Sequence, residues 1–116
     1  VKVAKIFHSG KARSMETAAI FAKELGIKDK PFQINGITPN DPVDTFSAEL
    51  KPDSHVMYIG HLPFMDRLVS YLTIGDENQS ILRFQNSGVV SLDKLPGQDQ
   101  WLVEWMLVPS FTGETI

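Results

Sequence analysis

The alternation of apolar and polar positions divides the chain into short β-type runs separated by helical ones. Val1, Val3, Ile6 and Phe7 form a β-rich opening run that Ser9-Gly10 stops. From Lys11 the period becomes helical: Ala12, Met15, Ala18, Ala19, Ala22 and Leu25 fall on one face, expected to be core, and Gly26 ends the run. Phe32 to Ile34 reads as a short strand after Pro31. The turn Thr38-Pro39-Asn40-Asp41-Pro42 then leads into a short helix from Val43 to Leu50. His55-Val56-Met57-Tyr58-Ile59 has the pattern of a strand buried on both faces, and it ends at Gly60-His61. Pro63 suits a first helical turn, and Met65, Leu68, Val69 and Leu72 repeat at helical spacing as far as Gly75.

The last third changes character. Ser87 to Leu92 and Trp101 to Val108 predict an antiparallel hairpin around Leu95-Pro96-Gly97-Gln98. Trp101, Val103, Trp105 and Leu107 share one face, and Glu104 interrupts the other. The polar tail after Pro109 is expected to fray. The order β-α-β-(α)-β-α-β-β predicts an α/β domain. Its sheet is mixed and mostly parallel, flanked by helices and closed by the hairpin.

Length narrows this picture to one domain, residues 1–116. The apolar share of 42% and charged share of 22% are those of an ordinary globular chain. A net charge of −3 without a basic run argues against nucleic-acid binding. The absence of cysteine removes disulfides, thiolate metal sites and cysteine nucleophiles, and it suits a reducing cytoplasm. No stretch approaches the roughly 18 apolar residues of a membrane span, and no signal peptide precedes the first strand. The expectation is a cytoplasmic protein with no membrane or nucleic-acid partner.

Candidate chemistry sits at two junctions of one design. Ser9-Gly10-Lys11-Ala12-Arg13 leads from the first strand into a helix, and Gly60-His61-Leu62-Pro63 leads from the buried strand into another. Ligands of open parallel sheets collect beyond the carboxyl ends of the strands, where helix N-termini offer unpaired amides. Arg13 can grip two oxygens of a phosphoryl group, and His61 can add a donor or a proton. Each has a plain structural alternative, a solvated arginine and a packed histidine. Two such features at one predicted edge tip the reading toward function. His8 either faces the same edge or packs beneath it. His55, Lys11 and Arg67 read as structural or surface residues, and Ser9 shapes the loop or caps the helix. Trp101 and Trp105 read as core. No P-loop, dinucleotide fingerprint or His-Glu-x-x-His motif is present, so neither cofactor nor metal is expected.

Ile6-Phe7-His8-Ser9-Gly10-Lys11-Ala12-Arg13-Ser14-Met15-Glu16-Thr17-Ala18 resembles the second motif of the histidine phosphatase superfamily, a strand followed by Ser-Pro-x-x-Arg-Ala-x-Gln-Thr-Ala. Val56-Met57-Tyr58-Ile59-Gly60-His61-Leu62-Pro63 resembles its later Val-Gly-His-x-Pro segment. The closing Trp101 to Pro109 is similar to the end of the small bacterial phosphohistidine phosphatases. Gly10 stands for the usual proline, Ser14 for the alanine and Glu16 for the glutamine. The resemblance implies a phosphoglycerate-mutase-like fold. In that family a histidine in Arg-His-Gly attacks phosphorus, while the arginine matching Arg13 and the histidine matching His61 hold the phosphoryl oxygens.

No Arg-His-Gly occurs in this chain. The chain begins just before the family's second strand, and the resemblance implies that the first strand and first helix lie elsewhere. They belong to an upstream segment or to another chain by strand exchange, or they are lost in a shortened relative. The leading expectation is a metal-independent phosphatase acting on phosphohistidine in a protein, or on a small phosphomonoester, through a phosphohistidine intermediate. Short insertions between the motifs imply a pocket open enough for a protein side chain. The alternative is a non-catalytic phosphate-binding or interaction module. A mutase on small metabolites is disfavoured by the lack of large inserted helices.

Overall fold

The computed structural model describes residues 3–52, 54–80, 89–94 and 97–107, without the side chains of residues 89 and 104–107. Elements follow in the order β1 (Lys5–His8), α1 (Ala12–Glu24), β2 (Phe32–Gln33), α2 (Val43–Ser47), β3 (Val56–Ile59), α3 (Phe64–Ile74), β4 (Val89–Lys94) and β5 (Trp101–Leu107). This is the element order that periodicity predicts, with shorter strands. Ser87, Val108 and the polar tail lie outside the described residues.

β1 is the centre of a parallel sheet ordered β2-β1-β3. The antiparallel β4–β5 hairpin forms a second ladder of its own. The hairpin attaches through side chains: Trp101 is buried among Phe64, Leu68 and Leu72 of α3, with Leu92 packed against the same cluster. Between Val103 and Trp105 the register skips Glu104, since Ser91 pairs with Trp105 and Leu92 with Val103. This bulge interrupts the alternation of β5 at Glu104. Trp101 is buried and Val103 is exposed, while the side chain of Trp105 lies outside the described residues.

The sheet has two unlike faces. Ile6 of β1 meets Ala18 and Ala22 of α1, with Met57 and Ile59 of β3 packed alongside. The buried stripe of α1 is Ser14, Ala18 and Ala22, whereas Met15 is 49% exposed. The expected Met15 stripe is therefore corrected by about one helical step. Small side chains let the helix approach the sheet, and Ser14 is turned inward by hydrogen bonds described below. On the other face Ile37, Val43, Phe46, Phe64, Leu68 and Leu72 build the larger core. An aromatic ladder crosses it: Phe32 and Tyr58 flank Phe7 at 5.9 and 5.5 Å, and Phe46 sets its edge against Tyr58 and Phe64.

Two further expectations are corrected. β3 is half-buried along its whole length, and among the described residues it has a strand neighbour on one edge only. Arg67 is not a surface charge. Its guanidinium donates to the carbonyls of Pro39 and Asp41 at 2.7 and 3.0 Å and pairs with Glu77 at 3.1 Å. It thereby ties α3 to the turn that precedes α2. Gly75 ends α3 with φ of 77°, a left-handed conformation that glycine adopts without steric cost.

Candidate functional site

Parallel pairing of β1 with β3 aligns the two strand-to-helix junctions. His8 lies opposite Ile59, so Ser9 and Gly60 leave the sheet side by side and His61 follows at once. Ser9 is buried, and its Oγ lies 2.6 Å from His61 Nε2 and 2.8 Å from Ser14 Oγ. Ser14 in turn donates to the Lys11 carbonyl at 2.9 Å, and the Lys11 amide reaches Ser9 Oγ at 3.4 Å. The N-cap of α1 is Lys11 and no side chain caps it. Ser9 is thus a loop-shaping residue rather than a cap.

Arg13 occupies the same first helical turn, one residue before Ser14. Its side chain is exposed and has no hydrogen bond or ion pair with a described residue. His61 Nδ1 likewise has no hydrogen-bond partner among the described residues. His8 shares the buried face of β1 with Ile6 and is only 7% exposed. Its Nδ1 accepts the Gly10 amide at 3.0 Å, so the neutral ring carries its proton on Nε2. His55 precedes β3 at the opposite end of the strand, where its carbonyl accepts the Ala4 amide at 2.7 Å.

The structure therefore joins His61 to the α1 turn that carries Arg13, and it buries His8 beneath that edge. Sequence reasoning gave Ser14 no part. Its signal was present, a hydroxyl at the third helical position and five residues after Ser9, but a serine there reads equally well as a surface residue.

Gly10 adopts φ of 88°. Proline, locked near −65°, cannot follow this path, so the loop replaces the motif's proline by a different conformation.

A separate open cleft of about 450 Å³ lies on the far side of β1, lined by Phe7, Ile34, Asn35, Phe46, Glu49 and Tyr58. Burial raises the Tyr58 phenol above its ordinary value of 10.0, and the Glu49 carboxylate adds to the shift. None of the junction residues lines this cleft. No cluster of three or more metal-ligating side chains occurs among the described residues, and no described helix is long and apolar enough to cross a membrane.

The chain's sequence matches no protein-family model and no curated protein. Its fold is similar to that of the protein histidine phosphatase SixA, a structure determined with tungstate bound. The TM-score is 0.77 at 21% identity over 92% of this chain and 69% of that one. At this identity the likeness is one of architecture: a parallel sheet flanked by helices, with an antiparallel hairpin.

Proposed function

We propose that the edge beyond β1 and β3 binds a phosphoryl group and that the chain is the phosphoryl-holding part of a phosphohistidine or phosphomonoester phosphatase. One observation carries this reading: His61 is tied to the first turn of α1, where the Arg13 side chain stands exposed and without a partner among the described residues. In this role Arg13 and the amides of the turn neutralise the phosphoryl oxygens, and His61 donates to the same group. The fold shared with SixA supports the assignment. The tungstate in that structure is a tetrahedral oxyanion of phosphate type.

Turnover through a phosphohistidine intermediate needs a nucleophile that this chain does not supply. In this reading His61 is taken up with holding the anion, His8 is buried with its Nδ1 accepting the Gly10 amide, and His55 stands at the other end of β3. Two observations support a strand that brings it. Among the described residues one edge of β3 is unpaired, and no Cα of β3 comes within 8 Å of β4 or β5. One intervening strand sets its neighbours about 9.5 Å apart. In this reading an Arg-His-Gly strand from upstream polypeptide joins the two ladders, and its histidine reaches the edge.

The test has two arms. Tungstate and inorganic phosphate should bind the 116-residue protein, and Arg13→Ala and His61→Ala should each weaken binding by about tenfold or more, the loss of one charge-assisted hydrogen bond. With the Arg-His-Gly strand joined, the protein should hydrolyse phosphohistidine. If neither substitution changes binding or hydrolysis, the assignment fails. Because the reading leaves no histidine of the 116 residues for the attack, a second reading is a phosphate-binding module; anion binding without hydrolysis by the strand-joined protein would select it.

A further inference from the structure

We infer that Ser9 and Ser14 are positioning residues that hold His61 in the tautomer protonated at Nε2, leaving Nδ1 as the atom free to meet a ligand. The argument rests on proton counting. Four groups follow in line: His61 Nε2, Ser9 Oγ, Ser14 Oγ and the Lys11 carbonyl, separated by 2.6, 2.8 and 2.9 Å. A carbonyl only accepts, and each hydroxyl has one proton to give. Ser14 spends its proton on the Lys11 carbonyl. Ser9 must then donate to Ser14 and accept from His61, so Nε2 carries a proton. The reverse direction leaves Ser14 Oγ facing the carbonyl oxygen at 2.9 Å with no proton between them, and it forfeits one of the three bonds.

Burial makes this direction consequential. Ser9 and Ser14 are both buried, so water does not readily replace a lost bond. A chain of aligned donors also polarises along its length, which strengthens the end that meets the imidazole. Ser9 is therefore not a nucleophile activated by His61, because the atom facing it is a donor and not a base. Ser14 anchors the chain, and it stands where the resembled motif has alanine. The orientation of His61 in this protein thus depends on a side chain that the motif does not provide.

The role assigned to Nδ1 rests on the phosphoryl-site reading; the tautomer itself does not. With Nε2 committed to Ser9, the ring donates to an anion from Nδ1 only as the imidazolium. The neutral tautomer presents a lone pair there. Contact with the ligand is thereby tied to the doubly protonated ring.

The experiment is two-bond proton–nitrogen NMR of the folded 116-residue protein at a pH where His61 is neutral, with His61 assigned by His61→Gln. In the wild type the Nε2–H tautomer should predominate by about tenfold, the ratio one hydrogen bond sets. Ser14→Ala frees the Ser9 hydroxyl to donate to the ring, and the population should swing toward Nδ1–H. Ser14→Thr keeps the hydroxyl and should restore the wild-type pattern. A wild-type ring protonated mainly at Nδ1 overturns the inference without recourse to any variant, and so does a folded Ser14→Ala protein with an unchanged tautomer. Adding tungstate to a second sample, at a pH where the His61 ring is doubly protonated, separates the two ideas. If the tautomer is as stated but the His61 resonances do not move, the phosphoryl reading fails while the hydrogen-bond chain stands.

Discussion

The two faces of the parallel sheet are built on opposite plans. The α1 face is thin: two alanines lie against Ile6, and the helix comes close enough for its first turn to share hydrogen bonds with the loop after β1. The α2–α3 face is deep and aromatic, and it also holds the hairpin through Trp101. Stability gathers where side chains are large, and the candidate chemistry gathers where they are small. A thin layer fixes backbone positions tightly, and that is what an edge site made of helix amides and short hydroxyls requires.

The largest effect that tests this contrast is Phe64→Ala. Phe64 is wholly buried, with its ring edge-on to Phe46. Its loss should cost about 3–5 kcal/mol in urea unfolding. The protein that remains folded should bind tungstate as the wild type does. A matching loss of anion affinity in that folded fraction would break the separation of the faces.

Ala18→Leu probes the thin side. Ala18 is fully buried between α1 and the sheet, so added methylenes push the helix outward, at a cost of about 1–3 kcal/mol. The diagnostic result lies at the edge, where the His61 resonances should shift although residue 18 is more than one helical turn from Ser14. Unperturbed resonances would mean that helix approach does not govern the site.

The smallest effect belongs to the far side and depends on pH. Hydrogen bonds from the Thr38 hydroxyl and amide to Asp41, at 2.6 and 2.8 Å, hold its carboxyl below the ordinary 3.8, and the Arg67 charge assists. Folding thus favours the carboxylate. The stabilisation is complete above the unfolded value near 3.8 and disappears as pH falls through the lower folded value. Thr38→Val should lower the urea midpoint slightly at pH 7, and the difference should vanish in stronger acid. A difference that persists unchanged below that range would assign the effect to packing.

Much of this architecture is legible in the sequence because it is written in local terms. Periodicity marks the helices, Gly26 and Gly75 mark their ends, and the hairpin follows from its turn residues. The pair of junctions is legible too, since strand-to-helix transitions are local and the parallel order follows from the alternation. What escapes depends on distant partners. Met15 and Ser14 differ by one position on the helix, and only the hydrogen bonds of Ser14 to Ser9 and Lys11 decide which one turns inward. Arg67 reads as a surface charge until Pro39, Asp41 and Glu77 surround it. β3 reads as a doubly buried strand, and its apolar run holds no record of which edge is paired.

The bond from the Gly10 amide to His8 Nδ1 has a consequence for inheritance. Proline at position 10 would remove the donor as well as forbid the left-handed turn, so the imidazole would lose the contact that orients it. A histidine oriented in this way at 8 therefore requires a residue other than proline at 10. Exchanging the histidine alone would free the Gly10 amide without admitting proline, because the φ of 88° forbids the ring whatever stands two positions earlier.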